Sequence, residues 1–356
     1  MVRGPMFWFW VGFFALVAML LTLDLGVLNR KAHAPSLKSA TYWTIGWVTL
    51  GLSFAGVVYL IYENGWLGAS LLKQVKGANG KLTEVAVSGG LGGEAAVTYV
   101  SAYLLEQALS VDNIFVISLL FHQFRVPPQF QHRVLFWGIL GAIVFRLIML
   151  GGGAYLAHKF SWIFYVFGAY LAFQGIKLLR DDEDEEPDLK NNRVVRLLRR
   201  IVPVVEGMHD GKFSVRKDGR FALTMLAVCL VSIELTDIVF ALDSIPAVLS
   251  VSQETFIMVT SNIFAIMGLR SLYFVLAGAM AKFHYLKLAL AVLLILIGAK
   301  MIAHDHYHVS HIVSLAAIAG IIGTGVLASI ISSRRAAKSA PPEGEGASEP
   351  PSEPAH

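Results

Sequence analysis

Residues 221–245 read FALTMLAVCLVSIELTDIVFALDSI, 25 positions without a Lys or Arg but with three acids, Glu234, Asp237 and Asp243. About 20 apolar residues of helix cross the ~30 Å hydrocarbon core of a bilayer. A carboxylate near the centre of that core costs about 2.5–3.5 kcal/mol even on the lenient insertion scale. A membrane helix that keeps three of them must give them cationic partners or a bound cation.

Further apolar runs lie at roughly 6–24, 41–62, 97–120, 132–153, 159–179, 256–280, 285–303 and 310–331. The expected fold is therefore an all-α polytopic membrane protein of about nine transmembrane helices. Composition agrees: 56% of the 356 residues are hydrophobic and 15% are charged, where soluble domains carry about 25% charged residues. The first run exceeds the 7–15 apolar residues of a secretory h-region and leads into Asp24 and Arg30-Lys31, so it is expected to stay as the first span. The net charge of +4 is spread over several loops and forms no basic stripe, which argues against nucleic acid as a partner. A single cysteine, Cys229, rules out an internal disulfide and a cysteine-cluster metal site.

Short basic loops stay cytoplasmic. Alternate connections hold 20 Lys and Arg residues against 5 in the others, which places the N-terminus outside and the C-terminus in the cytoplasm of an inner membrane. The expected organisation is two N-terminal spans (1–62), a three-helix unit (97–179), a charged cytoplasmic loop (180–220), a second three-helix unit (221–303), a last span (310–331) and a disordered tail (339–356). The loop opens with the acidic run Asp181–Glu186, and the tail is rich in Pro, Glu and Ser.

The two units repeat one another. Glu106 and Asp112 stand six apart, as do Asp237 and Asp243; the next helices carry Arg146 and Arg270, and the third helices carry Gly175-Ile-Lys177 and Gly298-Ala-Lys300. The offsets are 131, 124 and 123 residues, so register is nearly steady. Adjacent units of three spans cross the membrane in opposite senses, and inverted repeats with a midplane site are a common transporter plan.

Asp24, Glu106, Asp112, Glu234, Asp237 and Asp243 all fall within the expected spans. One account pairs them with Arg146, Arg270, Lys177 and Lys300 to lock the bundle; the other gives them a cation to bind. Acids outnumber bases, which favours the second, with Arg146 and Arg270 holding carboxylates in place. A separation of six residues turns two side chains about 120° apart on a helix, so one straight helix does not aim both acids at one ion. Pro246 is expected to kink or open the helix by leaving the Leu242 carbonyl without a donor. The available ligands are carboxylates, the amides Asn113 and Asn262, the hydroxyls Ser110, Ser244 and Ser261, and freed carbonyls, an all-oxygen set suited to Mg, Ca or Mn. No prosthetic group is called for, and no serine, cysteine or histidine nucleophile arrangement points to an enzyme.

At these residues the sequence resembles the TerC family, integral membrane proteins named for tellurium resistance that include the Alx-type manganese exporters. The matching stretches are Tyr103-Leu-Leu-Glu106-Gln-Ala-Leu-Ser-Val-Asp112-Asn113, then Glu234-Leu-Thr-Asp237 through Asp243-Ser-Ile-Pro246, then Thr260-Ser-Asn262 through Gly268-Leu-Arg270, with Asp24-Leu-Gly-Val-Leu-Asn29 similar to the family's first-helix ending. The long loop Glu63 to Glu94 and the Pro/Glu/Ser tail depart from the pattern. The resemblance implies export of Mn²⁺ from the cytoplasm, with acids matching Glu106, Asp112, Asp237, Asp243 and Asp24 as the site. The expected mechanism is alternating access, one unit rocking against the other, with H⁺ or Na⁺ as coupling ion. The competing expectation is a non-transporting membrane scaffold for metal loading of exported proteins or for tellurite and stress resistance.

Overall fold

The computed structural model describes residues 5–26, 37–66, 71–76, 82–87, 89–160, 162–180, 203–205, 207, 209–217, 220–277, 284–303 and 310–339. Their helices are α1 (Pro5–Gly26), α2 (Leu37–Glu63), α3 (Gly92–Gln123), α4 (Pro128–Lys159), α5 (Ile163–Arg180), α6 (Met225–Val251), α7 (Thr255–Met267), α8 (Leu269–Ala277), α9 (His284–Ile302) and α10 (His311–Ser339). Each apolar run of the sequence thus has its helix. Five, α2, α3, α4, α6 and α10, are individually long and apolar enough to cross a membrane, and α7 with α8 makes a sixth when taken as one bent span. The apolar parts of α1 and α9, Phe7–Leu23 and Leu288–Ile302, are shorter. Side chains such as Ile148 (66% exposed) and Ile312 (69%) face outward from the bundle, as suits lipid and not water.

Three local expectations are corrected. Residues 221–224 belong to a strand, Arg220–Thr224, and the helix begins only at Met225, where the Thr224 hydroxyl accepts from the Ala227 N–H at 3.4 Å. A capping threonine is a stronger start signal than the apolar run around it. Pro246 stays inside an unbroken α6. A bend of 42° falls at Gly268 between α7 and α8, where the residue of poorest helix propensity after proline stands. The loops also hold strands that the apolar pattern conceals. Leu71–Lys76 and Leu82–Val87 pair antiparallel, and the loop before α6 carries a three-stranded sheet ordered Val204–Val205, Arg220–Thr224, Ser214–Lys217. The acidic run Asp181–Glu186 and the tail from residue 340 lie outside the described residues.

Helix packing follows a regular scheme. α3 lies on α7 and α6 lies on α4, α3 also meets α6, and α5 packs along α9. The α5–α9 contact is backbone to backbone. A Cβ added at Gly298 would stand 2.5 Å from the Gly168 carbonyl and 2.7 Å from the Ala172 nitrogen, and one at Gly175 would stand 2.7 Å from the Ala291 carbonyl. Small residues give such close approach in bilayers, where hydrophobic burial does not drive helices together. Gly168 meets Gly298 while Gly175 meets Ala291, so the two helices run antiparallel. Gly298→Val is expected to force them apart at a cost of about 1–3 kcal/mol. It should lower the thermal midpoint of the detergent-solubilised protein by several degrees, and an unchanged midpoint would show that the contact is looser than described.

Candidate cation site

Arg146, on α4 and 2% exposed, is the charged centre of the bundle. Its Nε and Nη2 donate to the two Asp237 oxygens at 3.2 and 2.9 Å, while Nη1 contacts Oε1 of Glu106. The planar fork of a guanidinium suits this double duty in a way that an ammonium does not. The contacts bring together α3, α4 and α6, and two carboxylates on one cation leave a net charge of −1. Asn113 adds an N–H to Asp237 Oδ1 at 3.4 Å.

Asp243, six residues along α6, points elsewhere, as the 120° rotation requires. It faces a cavity of about 160 Å³ whose polar wall is Asp243, Ser244, Asn113, Gln174 and Lys177, closed by leucines of α3, α5 and α9 and by Phe240. A water needs only about 10–15 Å³ measured in this way, so the space holds a cation with several waters. Gln174 Nε2 donates to the two Asp243 oxygens at 3.2 and 3.4 Å, and the Tyr170 hydroxyl hydrogen-bonds the same carboxylate. Ser244 Oγ is buried and without a hydrogen-bond partner. A second cavity of about 20 Å³, on the Asp237 side, shares Asn113 and Phe240 with the first. Those two residues are the wall between the arginine-held acids and the Asp243 chamber.

The residues expected from the sequence therefore divide. Glu106 and Asp237 sit on Arg146; Asp243 and Asn113 meet at the larger cavity; Asn262, 1% exposed on α7, has both amide atoms without a partner and lines neither cavity. Asp24 lies on α1 and Asp112 on α3, and their side chains are outside the described residues. Glu234 presses its carboxylate against Gly141, where any Cβ would overlap it. Arg270 Nη1 lies 3.1 Å from His132 Nδ1. Among the described residues no three His, Cys, Asp or Glu side chains converge into a metal cage, so a cation at Asp243 would lean on amide, hydroxyl and water oxygens. Gln174 and Tyr170 were not foreseen. Their signal was the spacing Tyr170, Gln174, Lys177, a polar stripe at i, i+4 and i+7 on an apolar helix.

The model of the integral membrane protein TerC family matches residues 91–337. The chain belongs to the TerC family. This TerC protein is similar to an uncharacterized membrane protein of Myxococcus xanthus, STKORF319, at 40% identity over 92% of this chain and 93% of the relative. It is equally similar, at 40% identity over 88% and 91%, to Alx of Escherichia coli (strain K12), provisionally named a membrane-bound redox modulator. A Rickettsia felis membrane protein is 35% identical over 90% and 97%. No solved structure matches this TerC chain.

Proposed function

We propose that this TerC protein exports a divalent metal ion, Mn²⁺ foremost, from the cytoplasm across the inner membrane by alternating access. The observation that carries the reading is the chamber at Asp243. A half-buried carboxylate, an amide and an orphaned hydroxyl face a volume fit for a hydrated cation, within an apolar bundle. All its ligands are oxygens, which suits Mn, Mg and Ca over Zn or Cu; the preference for Mn²⁺ comes from the family resemblance. The inverted repeat is supported by the packing scheme. An offset of 123 turns Gly168 into Ala291 and Gly175 into Gly298, so the two close contacts of α5 with α9 exchange with each other under the relation seen in the sequence. The provisional redox name of the Alx relatives finds no dithiol within this chain, whose one cysteine, Cys229, is buried.

Export of a dication works against a negative-inside potential at about 2.3 kcal/mol per charge per 100 mV, so a coupling ion is needed. Protons are the simplest choice, because a carboxylate that releases Mn²⁺ is free to take one. The test is Mn²⁺ uptake into proteoliposomes holding only the purified protein. Uptake is expected, and is expected to rise several-fold when the vesicle interior is made acidic. Folded protein that moves no Mn²⁺ under any proton or Na⁺ gradient would transfer the protein to the scaffold reading.

A further inference from the structure

We infer that Gln174 and Tyr170 are ligand-providing residues of a single, asymmetric cation site at Asp243, and that the repeat-related half of the bundle has no equivalent of it. The inference rests on the transport reading for its biological meaning but is a statement about binding. Four observations lead to it.

Gln174 lines the chamber, and both side chains engage its carboxylate directly. Gln174 reaches both oxygens of Asp243, and the Tyr170 hydroxyl reaches the same carboxylate. In this arrangement the amide N–H and the phenolic O–H supply the partial positive charge that a cation would otherwise supply. Each also carries an oxygen. A half-turn about the terminal torsion of Gln174, which is soft and roughly two-fold, exchanges Nε2 for Oε1 at nearly the same position. The phenol keeps its oxygen in place when its proton turns away. The pair thus serves the empty carboxylate as donors and the loaded one as ligands, without a shift of the backbone.

Asymmetry is the third observation. Adding the offset of 123 to Tyr170 and Gln174 gives Leu293 and Ile297, which are 0% and 2% exposed in the apolar core between α9 and its neighbours. Hydrocarbon there offers no oxygen. The matching lysines also differ. Lys177 is exposed at the chamber, whereas Lys300 is engaged with the Ser314 hydroxyl of α10 at 3.0 Å. The fourth observation is Ser244 Oγ, which lines the chamber, is 2% exposed and has no partner. A buried hydroxyl oxygen left without a partner beside a carboxylate is costly unless something occupies the space.

Mn²⁺ binding to the full chain in detergent, measured by equilibrium dialysis, tests this. Wild type is expected to bind one Mn²⁺. Gln174→Ile and Tyr170→Leu, which copy the repeat-related side chains, are expected to weaken binding about tenfold or more, within the 10–100-fold range that loss of a metal-site partner costs. Gln174→Glu, which keeps the size and adds a charged oxygen, is expected to bind at least as tightly as wild type, and guards against a folding artefact in the apolar variants. Two bound ions per chain, or a Kd unchanged within twofold in both apolar variants, would overturn the inference. So would wild type that binds no Mn²⁺. Binding that follows this pattern in a protein that moves no Mn²⁺ would leave the site standing and remove only the transport reading.

Discussion

Arg146→Met is expected to cost the protein about 3–5 kcal/mol, the penalty for removing one partner of a buried ion pair, and two carboxylates lose their cation here, not one. Glu106 is 0% exposed and Asp237 8%, so neither finds water when the guanidinium is gone. Methionine fills much of the volume and cannot donate. The expected readout is loss of monodisperse protein after mild heating in detergent. The cost belongs to charge and not to shape, which makes the effect reversible. The same Arg146→Met change made together with Glu106→Gln and Asp237→Asn should cost far less, because coupled sites are non-additive in this direction. Equal destabilisation in both backgrounds would mean that Arg146 acts by packing alone.

Asp243→Asn is expected to act on the opposite axis, lowering Mn²⁺ flux by about 100-fold or more, since ligand charge count tunes hard-cation sites over several decades, with little loss of stability. Asparagine keeps the shape and can still take the N–H of Gln174, but it removes the one carboxylate that lines the larger cavity among the described residues. Asp237→Asn provides the contrast. Its oxygens are already held by Arg146 and Asn113, so its main effect should be on stability, with flux per folded molecule less affected. Should both variants lose flux equally while remaining folded, the division between an arginine-held pair and a cation chamber would be wrong.

The spans were legible because 20-residue apolar runs have almost no alternative in water, and the carboxylates within them were legible because they are expensive there. The role of Arg146 as a holder of acids followed from the same cost. What the apolar pattern hid has physical reasons too. The strand pair of Leu71–Lys76 and Leu82–Val87 is short, and its signal in the sequence was the Gly77-Ala-Asn79-Gly80 stretch, rich in turn-forming residues, between them. Pro246 drew attention as a breaker, yet a helix packed on several neighbours tolerates one lost hydrogen bond more easily than Gly268 resists bending. Gln174 and Tyr170 were missed because uncharged polar residues in a membrane helix cost little and so raise no alarm. Only their shared face with Lys177 distinguishes them.

The arginine bridge also restricts how the molecule can move. Glu106 and Asp237 come from different sequence units, yet both are tied to Arg146, itself in the first unit, so swinging one unit as a block against the other would tear the buried Arg146–Asp237 pair. α3, α4 and α6 must therefore travel as one body. The glycine-packed pair α5–α9 is a second body, since its backbones touch. Between these two lies a seam bridged at its polar core by Gln174 and Tyr170 on Asp243, contacts that an arriving ion can replace. If the protein transports as proposed, the cargo would sit in a joint whose polar fastenings it can itself undo, and the ion would be the key to the motion that carries it.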